Sequence, residues 1–407
     1  MAKPPSRQNM DSVLISATGY FPNIGGIENS LYYLSKSFSE KRYSVDLVSS
    51  NAFFDRSHHL PRVERSNKFR VLRYNYYIFG KMNAFSGYFN GFLLYRKLKN
   101  KKNYKLAVCR DHVTVLLCWL SGFRNIYYVL PGVVKYQSRF GLNKSKGLHK
   151  NSFRYLAYRY HHALQYIAVR LSKHNFVFSD EMEKQVSEAL NYRMKLKRTT
   201  PGVDGDRFRP GNELERAKLR AALSFNSNDV VLLGLGRFVK EKGYEFAIES
   251  ISLLPENFHL VLVGSGTSVT DYERLVNRFN LGHRVKILSP TASAEKFYKM
   301  ADIFLLPSIY EPFGQTLLEA QASGLPVVAF SNIVEGVNTA TNDVVINSTS
   351  VLAKDLNVES LAECIQHASR KINTGYFDRH HISMYAKDRF SWENTVDDIV
   401  SVDNGHS

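Results

Sequence analysis

Short apolar runs alternate with amphipathic stretches from the start of the chain. Residues 12–17 (SVLISA) and 44–49 (SVDLVS) are runs that predict buried strands. Between them, residues 27–40 carry apolar side chains at helical spacing and follow a loop with two consecutive glycines. A strand, a glycine-rich loop, a helix and a second strand form a βαβ unit, which is the building block of parallel sheets.

The same alternation continues along both halves of the chain and is more regular in the second. Further strands are predicted at 69–74, 105–109, 126–130, 229–235, 259–263, 285–288, 303–306 and 326–330, and helices at 155–171, 244–253, 269–279, 294–300 and 316–323. Residues 200–211 (TPGVDGDRFRPG) hold three glycines and two prolines and predict a linker. We therefore expect two α/β, doubly wound domains that face a cleft, with ligands outside the carboxyl ends of the strands.

Composition agrees with this picture. A chain of 407 residues with 44% hydrophobic content suffices for two globular domains. The three cysteines show no CxxC spacing, so neither a disulfide framework nor a zinc site is indicated and we expect a reducing compartment. The longest apolar run, residues 113–120, is far shorter than the ~20 residues of a membrane span. The expectation is a soluble or peripheral protein.

The charge is concentrated in one half. The net charge is +17, yet residues 1–200 hold 34 Lys and Arg against 11 Asp and Glu, and the remainder holds 20 against 26. This asymmetry indicates an acidic partner for the N-terminal half alone: nucleic acid, anionic lipid headgroups or a phosphorylated acceptor.

Two loops that follow predicted strands carry candidate chemistry. In GRFVKEKG, Arg237 offers a fork of donors and Lys242 a mobile charge, a pair suited to a diphosphate, although a solvated basic loop is the alternative. In VGSGT, Gly264 either lets a ligand approach the backbone or forms a tight turn.

The stretch PSIYEPFGQTLLEA places two carboxylates around a predicted helix start. Amides of residues 314–316 are expected to be unpaired donors where an anion binds. Glu311, outside the helix, is placed to accept hydrogen bonds from hydroxyls beside a phosphate, and Glu319, inside it, to reach a vicinal diol such as a ribose. A glycosidase acid–base pair is an alternative, but a helical Glu319 leaves no face for water. Two solvated glutamates are the other alternative.

Taken together, these motifs closely resemble retaining glycosyltransferases of family 4 (glycosyl transferases group 1), which have the GT-B fold of two Rossmann-like domains. The resemblance covers essentially the whole chain and is carried, in order, by residues 25–38, 200–210, 236–250, 261–266 and 301–330. It implies an acceptor-binding domain over 1–203, a nucleotide-sugar-binding domain over 204–385, and a last helix over 386–407 that returns to the first domain.

The resemblance also implies roles for individual residues. Arg237 and Lys242 would hold the donor diphosphate, Glu311 the hydroxyls of the donor sugar, and Glu319 the ribose. Donor contacts from backbone or small residues would come from Gly25, Gly26, Gly264, Phe313, Gly314, Gln315 and Thr316. No metal and no cofactor is expected, because the nucleotide-sugar is a substrate and the two cations would do the work of a metal.

The chain departs from the family pattern at two places. Members often carry a histidine where this chain has Pro131, which leaves Arg110, Asp111 and His112 as candidates for a polar group on the acceptor side. Residues 331–348 contain one glycine where several are usual, so donor recognition on that side stays open.

The expected function is metal-independent, retaining transfer of a hexose-type sugar from a nucleotide-sugar to a glycan or lipid-linked acceptor, in cell-surface polysaccharide or lipopolysaccharide synthesis. The basic half would suit the anionic cytoplasmic face of an inner membrane, with the protein in the cytoplasm. The alternative is a nucleic-acid- or membrane-binding protein on a catalytically weak GT-B scaffold. No RNA-binding motif supports nucleic acid as the partner.

Overall fold

The computed structural model describes residues 10–23, 25–52, 60–66, 68–78, 81–82, 84–136, 148–192 and 196–402. The chain divides into two compact units. Unit 1 consists of Met1–Phe178, Met182–Gly202 and Trp392–Ser407, and unit 2 of Ser179–Glu181 and Val203–Ser391.

Strands and helices alternate in both units. The strands are β1 (Ser12–Ser16), β2 (Ser44–Ser50), β3 (Val63–Arg65), β4 (Arg70–Tyr74), β5 (Tyr77–Ile78), β6 (Lys81–Met82), β7 (Tyr104–Cys109), β8 (Ile126–Val129), β9 (His174–Val177), β10 (Lys197–Arg198), β11 (Val230–Arg237), β12 (Phe258–Ser265), β13 (Val285–Leu288), β14 (Ile303–Leu306), β15 (Tyr310–Glu311), β16 (Val327–Phe330), β17 (Asn338–Thr339) and β18 (Ser350–Ala353). The helices are α1 (Gly26–Glu40), α2 (Ala84–Lys101), α3 (His112–Leu120), α4 (Leu148–Leu171), α5 (Asp180–Leu190), α6 (Glu213–Ala221), α7 (Tyr244–Ile251), α8 (Val269–Arg278), α9 (Glu295–Met300), α10 (Gln315–Ala322), α11 (Thr341–Val344), α12 (Val358–Asn373), α13 (Arg379–Arg389) and α14 (Trp392–Ser401).

Unit 1 contains an eight-stranded sheet in the order β10-β9-β8-β7-β1-β2-β4-β3. Its strands are parallel except for β3, which pairs antiparallel with β4 at one edge. The strand order reverses at β1, which lies between β2 and β7. Loops that follow β1 and β7 therefore diverge at a topological switch point, the usual ligand position in a doubly wound sheet.

Unit 2 contains a six-stranded, all-parallel sheet in the order β13-β12-β11-β14-β16-β18. Here the order reverses at β11, between β12 and β14. The central strands are buried along most of their length because helices cover both faces, which explains their continuous apolar sequences. The prediction of two doubly wound α/β units is confirmed.

The last helix, α14, belongs to unit 1 and packs on α1. The rings of Tyr33 and Trp392 stack with centroids 5.7 Å apart, and Lys41 forms a 2.7 Å ion pair with Asp397. Within the described ranges, every helix is too short or too polar to cross a membrane.

Candidate functional site

The candidate site in unit 2 lies at the switch point between β11 and β14. GRFVKEKG spans the end of β11 and the loop after it, and PSIYEPFGQ runs from the end of β14 to the first residue of α10. Gly243 has φ of +62°, and a Cβ there would lie 2.0 Å from the carbonyl oxygen of Pro307. The amide of Ile309 donates a 3.0 Å hydrogen bond to the carbonyl of Glu241. The two loops are thus held together by backbone contacts that leave no room for a side chain at Gly243.

Lys242 and Glu311 meet where these loops touch. The Lys242 ammonium donates a hydrogen bond to Oε2 of Glu311, and the two side chains are only 11% and 13% exposed. Glu311 is fixed by its backbone as well, because β15 pairs with β17 and the amide of Ala340 donates to the Glu311 carbonyl at 3.0 Å. The low-glycine segment noted in the sequence therefore supports Glu311. An ion pair between the predicted diphosphate and sugar ligands was not foreseen.

Arg237 differs from Lys242 in having no partner among the described residues. It is the last residue of β11, its side chain is exposed, and it forms no ion pair or hydrogen bond with any residue in the described part of the chain. A guanidinium so placed is available to an anion at the carboxyl end of the strand.

Helix α10 begins at this same edge of the sheet, as predicted. Gly314 is its N-cap residue, and the amides of Leu317 and Leu318 bond to the Gly314 carbonyl. Over the described ranges, the buried Thr316 hydroxyl in the first turn has no hydrogen-bond partner. Phe313 packs its ring against Phe390, 6.2 Å between centroids, which fixes the backbone ahead of the helix. The helix start combines a positive dipole end with an unsatisfied hydroxyl, and an anionic oxygen suits both.

Glu319 lies one turn further into α10 and is 8% exposed. It accepts a 2.9 Å hydrogen bond from the hydroxyl of Tyr298 on α9. Burial raises the pKa of Glu319 to about 7, although the Tyr298 hydrogen bond and the charge of Arg207 act in the opposite direction. The alternative of a solvated helical glutamate is therefore wrong. Sequence reasoning missed Tyr298, because nothing in its helix EKFYKM distinguishes it from a core tyrosine.

Gly264 is explained by packing between neighbouring strands. A Cβ on this residue would lie 1.9 Å from the carbonyl oxygen of Gly236. Nearby, the hydroxyl of Tyr244 is buried without a hydrogen-bond partner in the described structure. Burial and the charge of Glu311 raise the pKa of Tyr244 well above its usual range, so this hydroxyl stays protonated. Tyr244 is a second polar group that the sequence did not single out.

In unit 1, Gly25 and Gly26 stand at the start of α1, near the switch point at β1. A Cβ on Gly25 would lie 2.6 Å from Oε2 of Glu28, whereas a Cβ on Gly26 would meet no atom of the described residues within 4 Å. Gly25 is thus covered by a carboxylate, and the backbone at Gly26 is open to a ligand.

The three candidates after β7 have different environments. Arg110 is buried, donates to Oγ of Ser30 and to the carbonyl of Val129, and lies 5.0 Å from the ring centroid of Phe178. Burial lowers the pKa of Arg110 to about 10. Its donors are therefore engaged inside unit 1, and it is poorly suited to bind an acceptor.

Asp111 and His112 occupy the start of α3. Asp111 accepts hydrogen bonds from the amides of Thr114 and Thr18, which caps α3 and ties it to the loop after β1. Nε2 of His112 lies 2.9 Å from Nδ1 of His161 on α4. Burial lowers the pKa of His112 to about 4 and also lowers that of His161, so both rings are neutral at neutral pH. His161 was not singled out by the sequence, where it is one histidine of an aromatic helix.

Comparison with known proteins gives a family match inside unit 2 and structural matches over nearly the whole chain. Residues 215–388 match the family described as "Glycosyl transferases group 1". An uncharacterized glycosyltransferase of Methanocaldococcus jannaschii, MJ1607, is 27% identical over 252 residues, which are 59% of this chain and 62% of that protein. Alignments to this and two further curated relatives span between 42% and 62% of their lengths.

Solved structures extend the likeness to the whole chain. Sucrose-phosphate synthase from Thermosynechococcus elongatus superposes with a TM-score of 0.75 at 20% identity, covering 97% of this chain and 98% of that one. The Anabaena protein Alr3699/HepE, solved in complex with UDP and glucose, superposes with a TM-score of 0.72 at 17% identity, covering 98% and 100%. The chain has the GT-B fold of these solved structures, and its match to the glycosyl transferases group 1 family lies within unit 2.

Proposed function

We propose that the protein transfers a hexose-type sugar from a nucleotide-sugar to a hydroxyl of a glycan or lipid-linked acceptor, with retention at the anomeric carbon. The observation that carries the proposal is the contact of Lys242 with Glu311 at the switch point of unit 2, between the exposed Arg237 and the start of α10. Cations for a diphosphate and a carboxylate for sugar hydroxyls are thereby brought to one edge of the sheet.

The ion pair is compatible with a bound donor. An ammonium has three N–H donors, so Lys242 can keep its hydrogen bond to Glu311 and donate to a phosphate oxygen as well. Glu311 retains a second carboxylate oxygen for a sugar hydroxyl. Arg237 and the amides at the start of α10 would complete the phosphate ligands. These groups stabilise the leaving diphosphate more than the bound donor, because negative charge develops as the anomeric bond breaks.

Glu319 is proposed to hold the ribose. One oxygen of its carboxylate accepts from Tyr298, and the other is available to a ribose hydroxyl. Because a hydroxyl donates to an ionised carboxylate, the donor would bind best when Glu319 is deprotonated.

The acceptor would bind to unit 1, where Gly26 is open and His112 and His161 supply neutral imidazoles. In the proposed step, the bond from the anomeric carbon to the phosphate oxygen breaks and a bond to the acceptor oxygen forms on the same face. The acceptor proton passes to the departing diphosphate, so no protein nucleophile or metal ion is assigned. A lipid-linked acceptor in polysaccharide or lipopolysaccharide synthesis, at the cytoplasmic face of an anionic membrane, fits the charge of unit 1.

A panel of UDP-, GDP- and ADP-hexoses, screened by thermal shift and by donor hydrolysis, tests this function. We expect at least one donor to stabilise the wild type and to be hydrolysed slowly. Arg237→Gln and Lys242→Met should lose most of both effects, whereas Glu273→Gln, an exposed glutamate on α8, should keep them. Failure of every nucleotide-sugar, together with salt-dependent binding of RNA, would instead favour a binding protein on this scaffold.

A further inference from the structure

An exposed aromatic surface lies on the helical layer of unit 1. Helix α3 packs between α2 and α4. The first half of α2 exposes Phe85, 79% accessible, and Phe89, and the middle of α4 exposes Tyr155, Leu156, 67% accessible, and Tyr160. We call these five residues the aromatic patch. Phe85 and Phe89 are four residues apart, so they lie on one side of α2, whereas Tyr95, on a different side of the helix, is fully buried.

Tyr88 of α2 lies between the two parts of the patch. Its ring packs edge-on against Tyr76, with centroids 6.4 Å apart, and Tyr160 of α4 is close enough to contribute to raising the pKa of Tyr88. His161 follows Tyr160 in the same helix and contacts His112. The patch therefore borders the pair of histidines proposed for the acceptor. Single exposed apolar residues are ordinary on a protein surface, but five on the two helices that flank α3 indicate an interaction site.

The charge around the patch identifies the kind of partner. Residues 65–179 contain 22 Lys and Arg and a single acidic residue, Asp111, whose carboxylate is engaged in capping α3. Exposed cations continue along both helices from the patch, with Lys97 on α2 and Arg159 and Arg170 on α4. Aromatic side chains surrounded by Lys and Arg, without competing carboxylates, match the interface of a bilayer that contains anionic lipids.

We infer that the aromatic patch docks on the surface of an anionic bilayer and places the neighbouring histidines next to the headgroup of a lipid-linked acceptor. The second half of this inference rests on the proposed function, whereas docking itself does not. Insertion of phenyl rings removes apolar area from water, and each nearby Lys or Arg adds electrostatic attraction to an anionic leaflet.

Vesicle co-sedimentation tests the docking face. The wild type is mixed with phosphatidylglycerol–phosphatidylcholine vesicles and, separately, with pure phosphatidylcholine vesicles at low salt. We expect a clear preference for the anionic vesicles. The variant Phe85→Ser/Phe89→Ser should bind them roughly tenfold or more weakly, because two inserted rings are lost. The matched control is Leu214→Ser/Leu253→Ser, which removes two exposed apolar side chains from unit 2 and should bind like the wild type.

Thermal unfolding of both variants confirms that they fold, and donor-induced thermal shifts on the same samples report on the active site. Loss of vesicle binding with an unchanged donor shift supports docking through the patch. Equal binding by wild type and patch variant overturns it, as does equal binding to neutral vesicles. Concentration-dependent self-association that the patch variant abolishes, without vesicle binding, would assign the patch to a second copy of the chain and overturn the membrane inference. Absence of any donor shift would count against the proposed function alone.

Discussion

Substitution of Glu319 by glutamine should stabilise the protein at neutral to alkaline pH while weakening donor binding. The folded protein holds Glu319 at a pKa of about 7, above its ordinary value of 4.5, because the carboxyl group is buried. Between these two pH values the folded protein binds a proton that the unfolded chain has already lost. The free energy of unfolding therefore falls as pH rises from 4.5 to 7, and the loss is complete above 7.

The size of the effect follows from the shift. The rise in the pKa of Glu319 from 4.5 to about 7 corresponds to a loss of about 3 kcal/mol in the free energy of unfolding at high pH. Glutamine carries no charge at any pH, and its side-chain amide can still accept the hydrogen bond from Tyr298. We expect Glu319→Gln to raise the melting temperature of unit 2 by about 5 to 10 °C at pH 8. The gain should shrink towards pH 5.

Differential scanning fluorimetry across this pH range measures the effect, with Glu273→Gln as the control because that glutamate is exposed on α8. The same variant should lose donor affinity, since a ribose hydroxyl loses its ionised acceptor. A Glu319→Gln protein that is less stable than the wild type at pH 8, or a gain that does not depend on pH, would refute the reasoning about burial.

Substitutions of Lys242, Arg237 and His112 test whether each side chain contributes to stability, to donor binding or to both. Lys242→Met leaves the Glu311 carboxylate without its partner and should cost about 1–3 kcal/mol in chemical denaturation, whereas Lys242→Met/Glu311→Leu should recover stability without recovering the donor-induced thermal shift. Arg237→Gln should leave the donor-free melting temperature unchanged and weaken donor binding roughly tenfold or more in calorimetry. The pKa of His112 is lowered to about 4 from 6.5, so the wild type should lose stability as pH falls from about 6.5 to 4; His112→Gln should reduce that loss in a pH series of melting curves.

Periodicity predicted the central strands of both sheets, because parallel strands covered on both faces appear as continuous apolar runs, but it missed the edge strands β3, β10 and β18. Several helices were also missed, among them α2 and α3 of unit 1. Helix α3 (HVTVLLCWL) is apolar along almost its whole length, so it has no helical stripe and resembles a strand. Helix α2 was missed because it carries apolar residues on its exposed side as well as on its buried side. The exposed set includes Phe85 and Phe89, so the feature that obscured the helix is the one that indicates an interaction surface.

At the candidate site, the sequence indicated the residues of both loops and the helix start but not the contacts among them. Lys242 and Glu311 are brought together because β11 and β14 are neighbours at the switch point, which is a property of strand order and not of any local motif. Tyr298 and His161 were missed for the same reason. Their roles arise from contacts between helices, whereas their local sequences resemble an ordinary core helix and an aromatic surface helix.

The contacts of the donor-binding groups also determine how tightly the product nucleoside diphosphate should bind. Among the described residues, the Arg237 guanidinium and the Thr316 hydroxyl have no partner, and a diphosphate can use both with or without a sugar attached. Glu311 remains paired with Lys242 when the sugar is absent, so a missing sugar leaves no buried charge uncompensated. We therefore expect the matching nucleoside diphosphate to bind within about tenfold of its nucleotide-sugar in calorimetry. In Lys242→Met, where Glu311 depends on the sugar for hydrogen bonds, the nucleoside diphosphate should lose more affinity than the donor. Equal losses for both ligands would show that Glu311 does not bind the sugar.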